Sequence, residues 1–179
     1  MKGLSVISYI KFVFISALLF SSCSQVDTLF EIPATLDMTI EAGSNTFEVL
    51  VFRSDPVLFP FDLSLETRGI DPLMVDKVIA NTALFRPVFN STDLNFINEI
   101  VIQVVDPDDT TNVREVFFAD PVPLGPKNEI ELNASLPDIQ EFIIDGDMVM
   151  FLVEVRFRSI PAVNVDIRID MEFSVTAAE

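Results

Sequence analysis

The sequence predicts an all-β protein, an antiparallel β-sandwich of immunoglobulin-like or jelly-roll type with about nine strands. Three observations carry this. Near the C-terminus Val163, Val165, Ile167, Ile169, Met171, Phe173 and Val175 alternate with Asn164, Asp166, Arg168, Asp170, Glu172, Ser174 and Thr176. Strict period 2 is the signature of a strand with one face in a core and one in water. Short apolar or alternating segments recur along the chain at about 8–12-residue spacing, bounded by Pro, Gly, Asp or Asn, and helical periodicity is scarce.

Taken in order, the chain begins with Lys2 and Lys11, then the apolar run Phe12-Val13-Phe14-Ile15-Ser16-Ala17-Leu18-Leu19-Phe20, then Ser21-Ser22-Cys23. A run of nine residues suits the hydrophobic region of an export signal and falls far short of the roughly 20 that cross a bilayer as a helix. Small residues just before the one cysteine of the chain resemble the lipobox of bacterial lipoproteins, with Phe20 standing where Leu is usual. That resemblance implies cleavage before Cys23 and lipidation of its sulfur, with acyl chains that anchor at about 0.8 kcal/mol per buried methylene. Ser24 stands where an inner-membrane retention signal would resemble Asp, which points to the outer membrane. Gln25, Val26 and Asp27 only faintly resemble a surface-export signal, so the periplasmic and outer faces both stay open. The expected organisation is a signal peptide over residues 1–22, a lipidated tether over 23–28 and one β-sandwich domain over 29–179. With its Phe- and Asp-rich sandwich, the chain resembles small outer-membrane lipoproteins of Bacteroidota.

Strands are expected at residues 34–42, 46–53, 60–67, 74–84, 98–105, 113–119 and 128–133, before a pair at 148–158 and 163–176. In the first of that pair Val149, Phe151, Val153, Val155 and Phe157 share a face, and Met148, Met150, Leu152, Glu154, Arg156 and Arg158 share the other. The short link Ser159-Ile160-Pro161-Ala162 suggests antiparallel neighbours, with Arg156 and Arg158 facing Asp166 and Asp170, and Glu154 near Arg168. Single helical turns are expected only near 91–98 and 138–143, the latter capped by Asp138.

Composition narrows the chemistry. Half of the residues are hydrophobic and 22% are charged, so the chain has the material for a core. Its formal charge of −17 becomes −19 once Lys2 and Lys11 leave with the signal. So acidic a surface repels phosphates, and no nucleic-acid partner is expected. Histidine is absent and Cys23 stands alone, which leaves no Ser–His–Asp triad, no Cys–His pair, no imidazole ligand for zinc or copper and no intrachain disulfide.

The sharpest acidic cluster is Asp106-Pro107-Asp108-Asp109, followed by Thr110 and Thr111. Asp106, Asp108 and Asp109 offer the oxygen ligands that calcium prefers, and equally the composition of a polar hairpin turn. Asp145-Gly146-Asp147 reads as a tight turn, and Asp55-Pro56 and Asp71-Pro72 as turn initiators. Fourteen phenylalanines follow the signal. Around Phe59-Pro60-Phe61 or Phe117-Phe118 they fill a core or expose a sticky patch; adjacent strand residues face opposite ways, so one of Phe117 and Phe118 must leave a one-sided core. No catalytic residue is assigned and no cofactor beyond calcium is called for. The expected function is a non-catalytic, lipid-anchored envelope protein that binds, adheres or builds, with the membrane and another envelope protein or polymer as partners. The alternative is a carboxylate-dependent hydrolase or lyase acting on envelope carbohydrate.

Overall fold

The fold is described from a computed structural model, which covers residues 27–89, 92–106, 109–143 and 147–178. Nine strands occur among these: β1 (Thr28–Ile40), β2 (Val49–Arg53), β3 (Val57–Leu58), β4 (Val75–Pro87), β5 (Ile97–Val105), β6 (Val113–Ala119), β7 (Ile130–Ala134), β8 (Met148–Phe157) and β9 (Val165–Ala177). One α-helix, α1 (Phe61–Arg68), and two 3₁₀ turns, Pro72–Met74 and Gln140–Phe142, complete the secondary structure.

Every strand pair is antiparallel, and the order β1-β9-β4-β7-β6-β5-β8-β2 defines two four-stranded layers, with β3 added alongside β8. One layer is β1-β9-β4-β7 and the other β2-β8-β5-β6. Strand β7 pairs with β4 over Ala83–Phe85 and with β6 at Phe117 and Phe118, so the sheet curls from one layer into the other along that side. The pairs β5–β6, β4–β7, β2–β8 and β1–β9 are nested like one long hairpin rolled up. This nesting is the jelly-roll topology, which settles the choice between the two sandwich types.

The inward faces follow the sequence pattern closely. In β9 Val165, Ile167, Ile169, Met171, Phe173 and Val175 are buried, and in β8 Val149, Phe151, Val153, Val155 and Phe157. Strand β1 adds Phe30, Ile32, Ala34, Leu36, Met38 and Ile40. Its Pro33 lacks a donor, which an edge strand tolerates. Phe173 of β9 is the hub between layers, with ring centroids 5.2 Å from Phe59, 5.4 Å from Phe117 and 6.2 Å from Phe151.

Four expectations are corrected. Where a strand is expected at 60–67, Phe61–Arg68 form helix α1, although Phe61, Leu63 and Leu65 alternate with polar residues. The helix ends in Gly69 at φ 66°, a left-handed C-cap, and Arg68 lies over the Phe30 ring at 5.2 Å. Its N-terminus is capped from far along the chain, where Asp147 accepts from the backbone N–H of Asp62 at 2.8 Å and Leu63 at 3.1 Å. Asp147 itself sits at φ 59°, a conformation that Asp tolerates better than most residues.

The second correction is that β8 and β9 are not neighbours, because the 158–164 link crosses from one layer to the other. The expected ion pairs between them are therefore replaced: Arg168 grips Asp37 on β1, Arg86 on β4 takes Asp170, and Arg156 meets Glu99 on β5. Third, Val163 precedes β9 and is exposed. Fourth, the described part of 91–98 holds a tight turn before β5, closed by Ile97 N–H to Leu94 O at 3.0 Å, and no helix. At 138–143 the expected short turn does form, with Asp138 Oδ1 accepting from Gln140 N–H at 3.1 Å.

The Arg168–Asp37 contact is two-pronged, Nε to Oδ1 at 2.8 Å and an NH2 to Oδ2 at 2.9 Å. The hydrogen bond from Arg168 holds the Asp37 carboxyl below its ordinary value. A carboxyl lowered in the folded state stabilises above its unfolded pKa, and that contribution is lost as pH falls through the folded value. Asp37→Asn should therefore leave stability less sensitive to pH on the acid side, which melts at neutral and acid pH will read.

Candidate binding surface

The two ends of the sandwich differ in what reaches them. The chain begins β1 at one end, which also receives β3, α1, the Pro72–Met74 turn and the described residues of the β5–β6 and β7–β8 connections. The opposite end collects the loops 41–48, 120–129 and 158–164 and the described residues of the β4–β5 loop, 88–89 and 92–96, because β1, β4, β6 and β8 all finish there.

These four far-end loops are tied to one another. Gly43 N–H donates to Pro161 O at 2.9 Å and Ala42 N–H to Asn164 Oδ1 at 2.8 Å, which joins the first loop to the last. Leu94 N–H reaches Lys127 O at 2.8 Å, and Asp93 Oδ1 accepts from Lys127 N–H and from Asn95 N–H, each at 3.0 Å. Asn95 Oδ1 in turn accepts from Gly125 N–H at 3.1 Å. Arg158 N–H donates to Phe96 O at 2.9 Å, and its guanidinium donates to Val122 O. Bonds that close loops onto each other remove the freedom that binding would otherwise have to remove.

On this braced end large apolar side chains face water: Phe47 at 96% exposure, Leu124 at 80%, Phe89 at 73%, with Val88, Ile160 and Val163 beside them in sequence or across the loops. A groove of about 310 Å³ at this end is lined by Asp93, Asn95, Phe96 and Pro161 together with Ile160 and Val163. Six exposed apolar residues thus share one end of the domain on four linked loops, the feature that makes this end the candidate surface. Asp93→Ala should remove the acceptor shared by two loops and cost about 1 kcal/mol. Faster amide exchange at Lys127 and Asn95, with a small drop in melting temperature, is the expected readout.

The residues singled out from sequence fall elsewhere. Phe59 and Phe117 are core, while Phe61 and Phe118 are half-buried, so neither Phe pair forms an exposed patch. Phe117 escapes the alternation because a bulge opposite Ile102 and Gln103 leaves Val116 without a partner, and Val116 and Phe117 both turn inward. Phe89 sits in a loop, where period carries no information, and Phe47, inside the expected strand 46–53, lies in the loop before β2, which starts only at Val49. Their signal was only their position beside Asn and Pro turn residues.

Asp106 and Asp109 lie in the β5–β6 connection at the N-terminal end, and Asp108 lies outside the described residues. Asp109 Oδ1 accepts from Thr111 Oγ1 at 2.6 Å and Thr111 N–H at 3.0 Å, and these bonds hold its carboxyl below the ordinary value. Asp106 N–H donates to Asn112 O at 3.1 Å across the same turn. Among the described residues no group of three metal-binding side chains comes together. Cys23 also lies outside the described residues, and no described helix is long and apolar enough to cross a membrane.

A second groove, about 550 Å³, crosses the outer face of the β1-β9-β4-β7 layer between Pro33, Thr82, Leu84, Glu131, Asp170 and Glu172. Here Asp170 Oδ2 is held by Arg86 at 2.7 and 2.9 Å, and Glu172 accepts from Thr82 Oγ1 at 3.4 Å. Two of its three carboxylates thus serve the sheet's own side chains.

A scan of protein-family models finds no match to this chain, and searches of curated proteins and of solved structures find no similar protein.

Proposed function

We propose that this chain is a non-catalytic lipoprotein of the bacterial outer membrane, which presents the four-loop end of its jelly roll to another envelope protein or polymer. The observation that carries this reading is the polarity of the fold. A chain lipidated at Cys23 would begin β1 within a few residues of the bilayer, and the loops bearing Phe47, Phe89, Leu124 and Ile160 project from the opposite end. The acidic surface argues against nucleic acid, and the absence of histidine removes the commonest general base.

Two measurements test the parts separately. Cys23→Ala should leave the protein unprocessed or release it from membranes, and a variant still processed and membrane-bound would refute the lipid anchor. Pull-down from solubilised membranes should recover a partner with the native chain and lose it with Phe47→Asp combined with Phe89→Asp, at an unchanged melting temperature. Equal recovery by both would sink the loop surface as the binding site.

A further inference from the structure

The end of the domain nearest the N-terminus carries its own exposed apolar pair. Leu73 is 87% exposed and Met74 59%, side by side on the Pro72–Met74 turn. The turn is rigid. Asp71 Oδ1 accepts from Leu73 N–H at 2.9 Å, and Met74 N–H donates to Asp71 O at 2.8 Å. It is also stitched to the start of the fold, since Ala178 N–H donates to Met74 O at 2.8 Å and Ala177 N–H to Asp27 O at 2.9 Å. Leu73 and Met74 therefore stand one strand away from Asp27.

Cys23 precedes Asp27 by four residues, and four residues of extended chain span at most about 14 Å. A lipid on Cys23 would therefore keep Asp27 within about 14 Å of its acyl chains, close enough for this turn to reach the headgroup layer. Leu58, Leu63 and Leu136 are exposed on elements at the same end. At this end the Asp71 carboxylate accepts from its own turn and Asp76 is paired with Lys77 at 3.5 Å, and the acids keep their charge.

We infer that Leu73 and Met74 dip into the lipid leaflet as a second, non-covalent contact that seats the domain upright and points the four far-end loops away from the membrane. This rests on the lipoprotein reading. Apolar side chains on a turn lose their exposure to water at the headgroup–acyl boundary, which is how peripheral proteins hold an orientation. With a mature charge of −19, the surface that fits is zwitterionic, and an anionic one would be repelled.

The test uses the full lipidated protein purified from membranes and reconstituted into phosphatidylethanolamine–phosphatidylcholine vesicles. An acylated Cys23 has no thiol to label, so Leu73→Cys supplies the one reactive thiol, to which an environment-sensitive fluorophore is attached. Phe47→Cys serves as the far-end comparison. The expected result is blue-shifted emission at position 73 that is quenched by nitroxide-labelled acyl chains, with neither effect at position 47. Emission at 73 as water-like as at 47, with Cys23 shown acylated by mass, would overturn the seating while leaving the anchor intact. A blue shift insensitive to lipid nitroxide and dependent on protein density would assign the patch to a second copy of the chain and equally overturn it. Fluorophore on Cys23 itself, with no acyl mass, would instead fail the lipoprotein reading on which the seating depends.

Discussion

Replacing Ile169 by Asp should prevent the domain from folding, whereas replacing its neighbour Asp170 by Asn should cost at most about 1 kcal/mol. Ile169 is fully buried in β9, the strand held between β1 and β4 at the centre of its layer. A carboxylate there would meet apolar side chains from both layers and no donor. Burying a polar group without a partner costs several kcal/mol, and a charge more, against a total stability of roughly 5–15 kcal/mol. Asp170 points the other way, to the outer face, where it meets Arg86 on β4. An ion pair so open to water contributes little, and Asn keeps part of the hydrogen bonding. Circular dichroism and thermal melts of the two variants decide the matter: should Asp170→Asn prove the more damaging, the strand register is inverted by one residue.

That contrast could be written from sequence alone, because seven apolar residues in period 2 leave one register for a one-sided strand. The inward set of β8 was legible for the same reason. The strand order was not, since a short link between two strands fits a hairpin as well as a crossover between layers. Ser159-Ile160-Pro161-Ala162 turned out to be the crossover, and Arg156, Arg168 and Asp170 found partners on other strands. Helix α1 was illegible locally: Phe61, Leu63 and Leu65 imitate a strand, and what makes the segment helical is tertiary. Its N-terminal N–H groups are satisfied by Asp147, 85 and 84 residues away, and no rule of local sequence could supply that cap. Bulges also break the alternation at two places where the sequence offers no assignment of faces. At Val116–Phe117 two successive side chains turn inward, and at Asn81–Thr82 two successive ones stay outside, because an extra residue on one strand breaks the alternation. The candidate surface was the least legible part. Loops carry no periodic signal, so the gathering of Phe47, Phe89, Leu124 and Ile160 at one end follows only from the jelly-roll connections.

Phe173→Ala should destabilise the domain by about 3–5 kcal/mol, the range found when a buried aromatic ring is removed and its cavity does not collapse. The ring is fully buried and meets Phe59 and Phe117 edge-on, at interplanar angles of 76° and 66°, geometries in which aromatic pairs attract beyond simple burial. Its partners belong to the facing layer, β6 and β8, and to the link between β3 and α1. Layers braced by extended sheets cannot close around a missing ring without sliding past each other, so little relaxation is available. In urea the midpoint should fall with an unchanged slope, as for a loss of stability without a change in the unfolded ensemble. Amide exchange should show where the loss falls. Phe59 N–H donates to Asp147 O at 2.6 Å, and Asp147 caps α1, so loosening Phe59 should unlock the helix before it reaches the far-end loops. Phe118→Ala, removing a half-buried ring on the outer face of the same sheet, should cost much less. A Phe173→Ala variant that loses under about 1 kcal/mol would mean that the two layers are not held by this aromatic hub and that the core must be anchored elsewhere.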